Sequence, residues 1–153
     1  GRIINIGSDS HKYGKINFDD LNLERSYHGL KAYGQSKLAN LLFTYELHRI
    51  KKHDHVSVYC VQPGLVKTDI GVKHTNSFHG LMWKLRRLSG MSPEQAAETA
   101  IYLACAPEAA GNSGLYWDKC RPKPSSSRSK DPYDAARLWK ISEQLCGIDN
   151  FFS

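Results

Sequence analysis

Tyr33 and Lys37, four residues apart, are the side chains of this 153-residue chain best spaced for proton chemistry. A free phenol ionises near pH 10 and is a poor acid–base group at neutral pH. An ammonium held beside it favours the phenolate and moves it toward the range where general acid–base catalysis is efficient. On a helix the two would share one face, one turn apart. The pair alone is a weak signal, because both residue types are common on solvated helices. Ser8 adds a hydroxyl at the end of an apolar run, and a Pro-Gly turn at residues 63–68 closes a second such run.

These groups need elements to hold them. Residues 31–50, KAYGQSKLANLLFTYELHRI, place Leu38, Leu41, Leu42, Tyr45 and Ile50 at three- and four-residue steps, which predicts one amphipathic helix. GRIINIGSDS and VSVYCV, before and after it, read as short buried strands. Strand, helix, strand implies a right-handed crossover between adjacent parallel strands. Ligands bind outside the carboxyl ends of such strands, where Ser8, Tyr33 and the 63–68 turn would gather. Tyr27 and Lys31 repeat the same spacing, but Gly29 between them and the lack of an apolar stripe make that segment the approach to the helix.

The ordered set RIINIGS, YGQSKLANLLFT, QPGLVKTD, SPEQAAETAIYLA, SGLYW and RLWKISEQLCG resembles the short-chain dehydrogenase/reductase family, and within it the retinol dehydrogenase-like branch. The resemblance implies an α/β fold: the C-terminal half of a doubly wound Rossmann-type parallel sheet, with three strands and flanking helices. It implies Tyr33 as catalytic acid/base and Lys37 as the cation that favours the phenolate and holds the nicotinamide ribose. Ser8 would hydrogen-bond the substrate oxygen, while Pro63, Gly64, Val66 and Thr68 would line the nicotinamide. The implied reaction interconverts an alcohol and an aldehyde or ketone, with a lipophilic, retinoid-like or medium-chain substrate. NADP is the cofactor the branch favours, with NAD left open.

The family's glycine-rich phosphate turn does not occur in the chain, so a longer protein with that turn upstream is expected. The family's Asn on a preceding helix has no counterpart here. Residues 1–120 are expected to form the C-terminal part of the dehydrogenase domain. Residues 121–130, RPKPSSSRSK, read as a mobile basic linker, and residues 131–153 as a last helix with Leu138, Ile141 and Leu145 facing inward. The connection over residues 9–30 reads as a polar surface loop or part of the substrate mouth. It puts His11 near Ser8, but no Gly-x-Ser-x-Gly elbow supports a hydrolase. In residues 70–91, Phe78, Leu81, Met82, Leu85 and Leu88 predict an amphipathic helix. The resemblance implies a substrate lid here, while the residues themselves read as a core helix or a basic face for a membrane surface. Ser92-Pro93-Glu94-Gln95 marks a capped helix start, with its end before Pro107.

A hydrophobic content of 41% and a charged content of 24% describe an ordinary globular chain. The sequence has no run long enough to cross a bilayer and no signal-peptide pattern, which points to the cytoplasm, with membrane association left open. Four scattered cysteines fit neither a disulfide framework nor a zinc site, and Cys60 and Cys105 read as buried thiols. His53-Asp54-His55 reads as a solvated turn, so no metal is expected. The net charge of +6 is spread over loops and helix faces without an aromatic-interleaved stripe, which argues against nucleic acid. The expected partner is a small-molecule alcohol or carbonyl, with homodimer formation open. A non-catalytic interaction module is the rival reading.

Overall fold

The computed structural model describes residues 1–51, 55–64, 66 and 90–152. Among the described residues, four strands form one sheet in the order β1 (Arg2–Ile6), β2 (Ser57–Val61), β3 (Leu115–Asp118) and β4 (Arg121–Pro122). β1 pairs parallel with β2, Ile4 opposite Tyr59, and β2 pairs parallel with β3, Cys60 opposite Tyr116. Helix α1 (Gly29–Ile50) connects β1 to β2; α2 (Pro93–Cys105) precedes β3, and α3 (Pro132–Leu145) packs against α1.

Alternation along the strands sorts the core into two layers. Cys60 and Tyr116 point to one face and meet Leu41 of α1. Tyr59, Val61 and Trp117 point to the other and meet Leu103 of α2. All five residues of β2 are buried, as a central strand covered on both faces requires. A third cluster joins Leu38 and Leu42 of α1 to Ala135 of α3 and to Ile16.

The helix ends follow their sequence signals. Ser92 and Gln95 form a reciprocal capping box with Pro93 in the first turn. Asp131 accepts from the Tyr133 and Asp134 amides at the start of α3, and Gly147, at φ +66°, turns the chain just past its end.

Five expectations need correction. The sheet has a fourth strand, antiparallel and drawn from the stretch expected as linker. Residues 121–130 are not a mobile linker: they hold β4 and a 3-10 turn at Arg128–Lys130, and Ser129 is fully buried. Residues 9–30 are not simply a polar loop, since His11 and Ile16 are both buried. Leu145 is 78% exposed rather than inward, because Ala135 and Leu138 carry the contact of α3 instead. Cys105, at the open end of α2, is exposed, whereas Cys60 is buried; all four cysteines are free thiols. His53, Asp54 and the helix expected over residues 70–91 lie outside the described residues, save residues 90 and 91.

Candidate active site

β1 stops at Ile6, and Gly7 carries the chain over the top of the sheet. A Cβ on Gly7 would lie 2.6 Å from Cys60 Sγ and 3.1 Å from Tyr116 Cε2, so only glycine passes here without displacing its neighbours. Ser8 follows in extended backbone and caps a 3-10 turn, Asp9–Tyr13, its Oγ accepting from the Ser10 amide at 3.2 Å. That turn lies directly on the first turns of α1. A Cβ on Gly34 would lie 3.3 Å from the Ser10 carbonyl, and one on Gly14 would lie 2.3 Å from the Gly34 carbonyl. Backbone against backbone, this contact sets Ser8 and Tyr33 at the same end of the sheet.

Tyr33 is 41% exposed and Lys37 half-buried. The Lys37 ammonium sits 5.6 Å from the centre of the Tyr33 ring and donates to the Ile6 carbonyl at 3.2 Å. Asn40 Nδ2 donates to the same carbonyl at 2.9 Å. Sequence spacing alone missed Asn40, although it lies one turn beyond Lys37 and three residues is a same-face step. The last carbonyl of β1 thus anchors two side chains of α1. Tyr27 precedes the helix start, so Tyr27 and Lys31 do not form a one-turn helical pair.

Behind Ser8 stands a polar network. Lys123 Nζ lies 2.7 Å from Asp9 Oδ2 and 2.8 Å from Asp118 Oδ2. Tyr116 Oη donates to Asp9 Oδ1 at 3.2 Å, and the Asp9 amide donates to Gln62 Oε1 at 3.0 Å. Burial alone would raise the Asp9 carboxyl, but Lys123, with Lys12 and the Tyr116 hydroxyl, together outweigh it and hold the group below its ordinary value. Tyr116 moves the opposite way: burial first, then the Asp9 charge, makes its phenol a weaker acid than usual. It is therefore a hydrogen-bond donor, not an acid–base group. Burial pushes the Cys60 thiol up to about 12, which makes it inert.

His11 is fully buried, and its ring meets the Ser8 backbone carbonyl, 2.7 Å from Nδ1, not the Ser8 hydroxyl. The nucleophile–base contact of a hydrolase is therefore not made.

Across the sheet, β2 runs into Gln62-Pro63-Gly64. Gly64 has φ +80°, and a Cβ there would strike Met91 Cε at 2.3 Å. Val66 forms a parallel bridge with Met91. Pro63, Gly64 and Val66 thus leave the carboxyl end of β2, next to the end of β1; Thr68 lies outside the described residues. The donor chemistry fits a nicotinamide ribose: an ammonium has three N–H donors, and the Ile6 carbonyl takes one. Among the described residues no cluster of His, Cys, Asp or Glu could hold a metal ion, and no helix is long and apolar enough to cross a membrane.

No protein-family model matches the chain. It is similar to retinol dehydrogenase 14 of Mus musculus, 39% identical over 96% of the chain and 45% of that protein. It is also similar to retinol dehydrogenase 13 of Homo sapiens, 41% identical over 97% of the chain and 46% of that protein. Among solved structures it matches an uncharacterized protein from Mycobacterium paratuberculosis with a TM-score of 0.66 at 30% identity, covering 96% of the chain and 50% of that protein. The chain therefore spans about half the length of the relatives it matches. Over the stretch it shares with them, the chain is similar to the retinol dehydrogenases, in line with the resemblance that its sequence motifs carry.

Proposed function

We propose that the chain carries the proton-transfer side of an NAD(P)-dependent oxidoreductase that interconverts an alcohol and an aldehyde or ketone. The observation that carries this reading is Lys37, set between the last carbonyl of β1 and the Tyr33 ring, at the sheet end from which Ser8 emerges. When bound, the nicotinamide takes or supplies the hydride. Tyr33 takes the hydroxyl proton during alcohol oxidation and returns it during carbonyl reduction. Ser8 holds the substrate oxygen through its hydroxyl. Lys37, positioned by Ile6, holds the ribose and stabilises negative charge on the tyrosine oxygen. Pro63, Gly64 and Val66 would line the nicotinamide, and the resemblance gives the same role to Thr68. NADP is the cofactor this reading favours, over NAD. The substrate is lipophilic, retinoid-like or medium-chain, in line with the names of the relatives. A cytoplasmic protein touching a membrane surface, and a homodimer, accompany this reading.

The test is nicotinamide absorbance with NADPH or NADH and a panel of aldehydes, run on the full-length protein. Tyr33→Phe is expected to lower turnover about 100-fold or more with cofactor affinity preserved, since general acid–base groups contribute factors of that order. Full turnover in that variant refutes the assignment. Lys37→Ala is expected to weaken both turnover and cofactor binding, and unchanged cofactor affinity would remove its ribose role.

A further inference from the structure

We propose that His11 is a positioning residue for the Ser8 hydroxyl, a neutral imidazole clamped between the Ser8 carbonyl and the Ser126 amide. The inference rests on the reading above, in which Ser8 contacts the substrate oxygen. The Ser126 N–H can only donate, and it lies 3.0 Å from His11 Nε2. Nε2 must therefore be the unprotonated acceptor, and the ring proton sits on Nδ1. A carbonyl can only accept, and Ser8 O lies 2.7 Å from Nδ1. The two partners allow one tautomer of the neutral ring and exclude the imidazolium, whose Nε2–H would face another N–H.

The ring cannot easily turn away. It is wholly buried, and the Tyr116 ring packs edge-on against it at 5.2 Å. The far partner is itself anchored. Ser129, also wholly buried, donates its one hydroxyl proton to the Ser126 carbonyl at 2.7 Å, its Oγ lies 2.8 Å from Ser125 Oγ, and Ser125 Oγ meets Tyr45 Oη of α1 at 2.7 Å. The same segment grips the Ser8 turn at two further points. Lys123 pairs with Asp9, and Arg128 Nη1 donates to the Gly14 carbonyl at 3.1 Å. The imidazole is the rigid middle contact of three. It fixes the peptide plane of Ser8, and with it the backbone from which the hydroxyl, held at Oγ by the Ser10 amide, projects.

A double-mutant cycle on the full-length protein tests this, since residues acting through one another are non-additive. His11→Ala is expected to lower kcat about 10- to 100-fold, the scale of a misplaced catalytic contact, with the KM for the nicotinamide unchanged. In a Ser8→Ala background the same change is expected to cost nothing further. His11→Asn, whose Nδ2 can still donate to the Ser8 carbonyl, is expected to recover most of kcat. Equal losses in both backgrounds, or full activity in His11→Ala, overturn the proposal. Nitrogen-15 NMR of the wild-type imidazole gives a readout that needs neither activity nor a variant. The Nδ1–H tautomer and a slowly exchanging Ser126 amide are expected, and an Nε2–H tautomer refutes the clamp. Full turnover in Ser8→Ala alone would sink the role given to Ser8, and the positioning role with it, even where the tautomer is as expected.

Discussion

Gly7 has no side chain because Cys60, Tyr116 and Leu41 leave no room for one. Gly7→Ala is expected to destabilise the fold by about 1–3 kcal/mol, the usual cost of overpacking, read as a lowered Tm. The same change in a Cys60→Ala background should cost less, because the closest clash is with the Cys60 sulfur. A second consequence at this scale is pH dependence. Burial lowers the His11 pKa against the opposing pull of the Ser8 carbonyl, and desolvation, aided by Lys51, lowers that of His48. Each imidazole is easier to protonate in the unfolded chain, near pH 6.5, than in the folded one. Their contribution is full above that value and is lost as pH falls through it toward the folded pKa. Thermal melts should show Tm falling from pH 7 to pH 5, with a shallower fall in His11→Asn. Asp9 acts in a separate, lower window: its depressed carboxyl supports the fold above about pH 4, and that support is lost as pH falls through the folded value.

Among the elements, α1, β2 and α2 were legible because their signals are local: apolar spacing, an unbroken apolar run, and a Ser-Pro-x-Gln start. Asp131 belongs to the same class of signal. Asp131→Ala should cost α3 about 0.5–2 kcal/mol and lower Tm by about 2–4 °C per kcal/mol, measured by calorimetry. The β3–β4 hairpin was not legible. Its two-residue turn is Lys119-Cys120, both at positive φ, where such turns usually carry Asn-Gly; the Cys120 amide donates to Thr99 Oγ1 at 3.1 Å and helps hold that backbone. Residues 121–130 read as linker for a related reason. Ser125, Ser126 and Ser129 bind through hydroxyls and amides, which leave no hydropathy pattern. Of the candidate site, Ser8, Tyr33 and Lys37 were proposed from spacing and resemblance. The burial of His11 and the shared Ile6 carbonyl are tertiary facts, visible only once the Ser8 turn lies on α1.

At the scale of the whole molecule, β1 is an edge strand, and its side away from β2 has no strand partner among the described residues. Beside it Ile3, Phe43, Leu47, Val56, Trp139 and Phe151 line an apolar groove of about 380 Å³. Ile3 and Phe151 are 39% and 57% exposed. An open edge next to apolar surface favours association between chains. This chain is expected to elute from size-exclusion columns progressively earlier as concentration rises. Ile3→Lys should suppress that shift, and an elution volume independent of concentration in the unmodified chain would contradict it.

The ion pair between Asp9 and Lys123 joins positions 114 residues apart in sequence. Translation delivers the first long before the second. A nascent chain arrested at residue 120 would hold Ser8 and Tyr33 without the cation, the serines or the arginine that grip the Ser8 turn. Maturation of the site therefore waits for the last fifth of these residues to leave the ribosome, and limited proteolysis of arrested chains should find residues 9–14 open to cleavage until then.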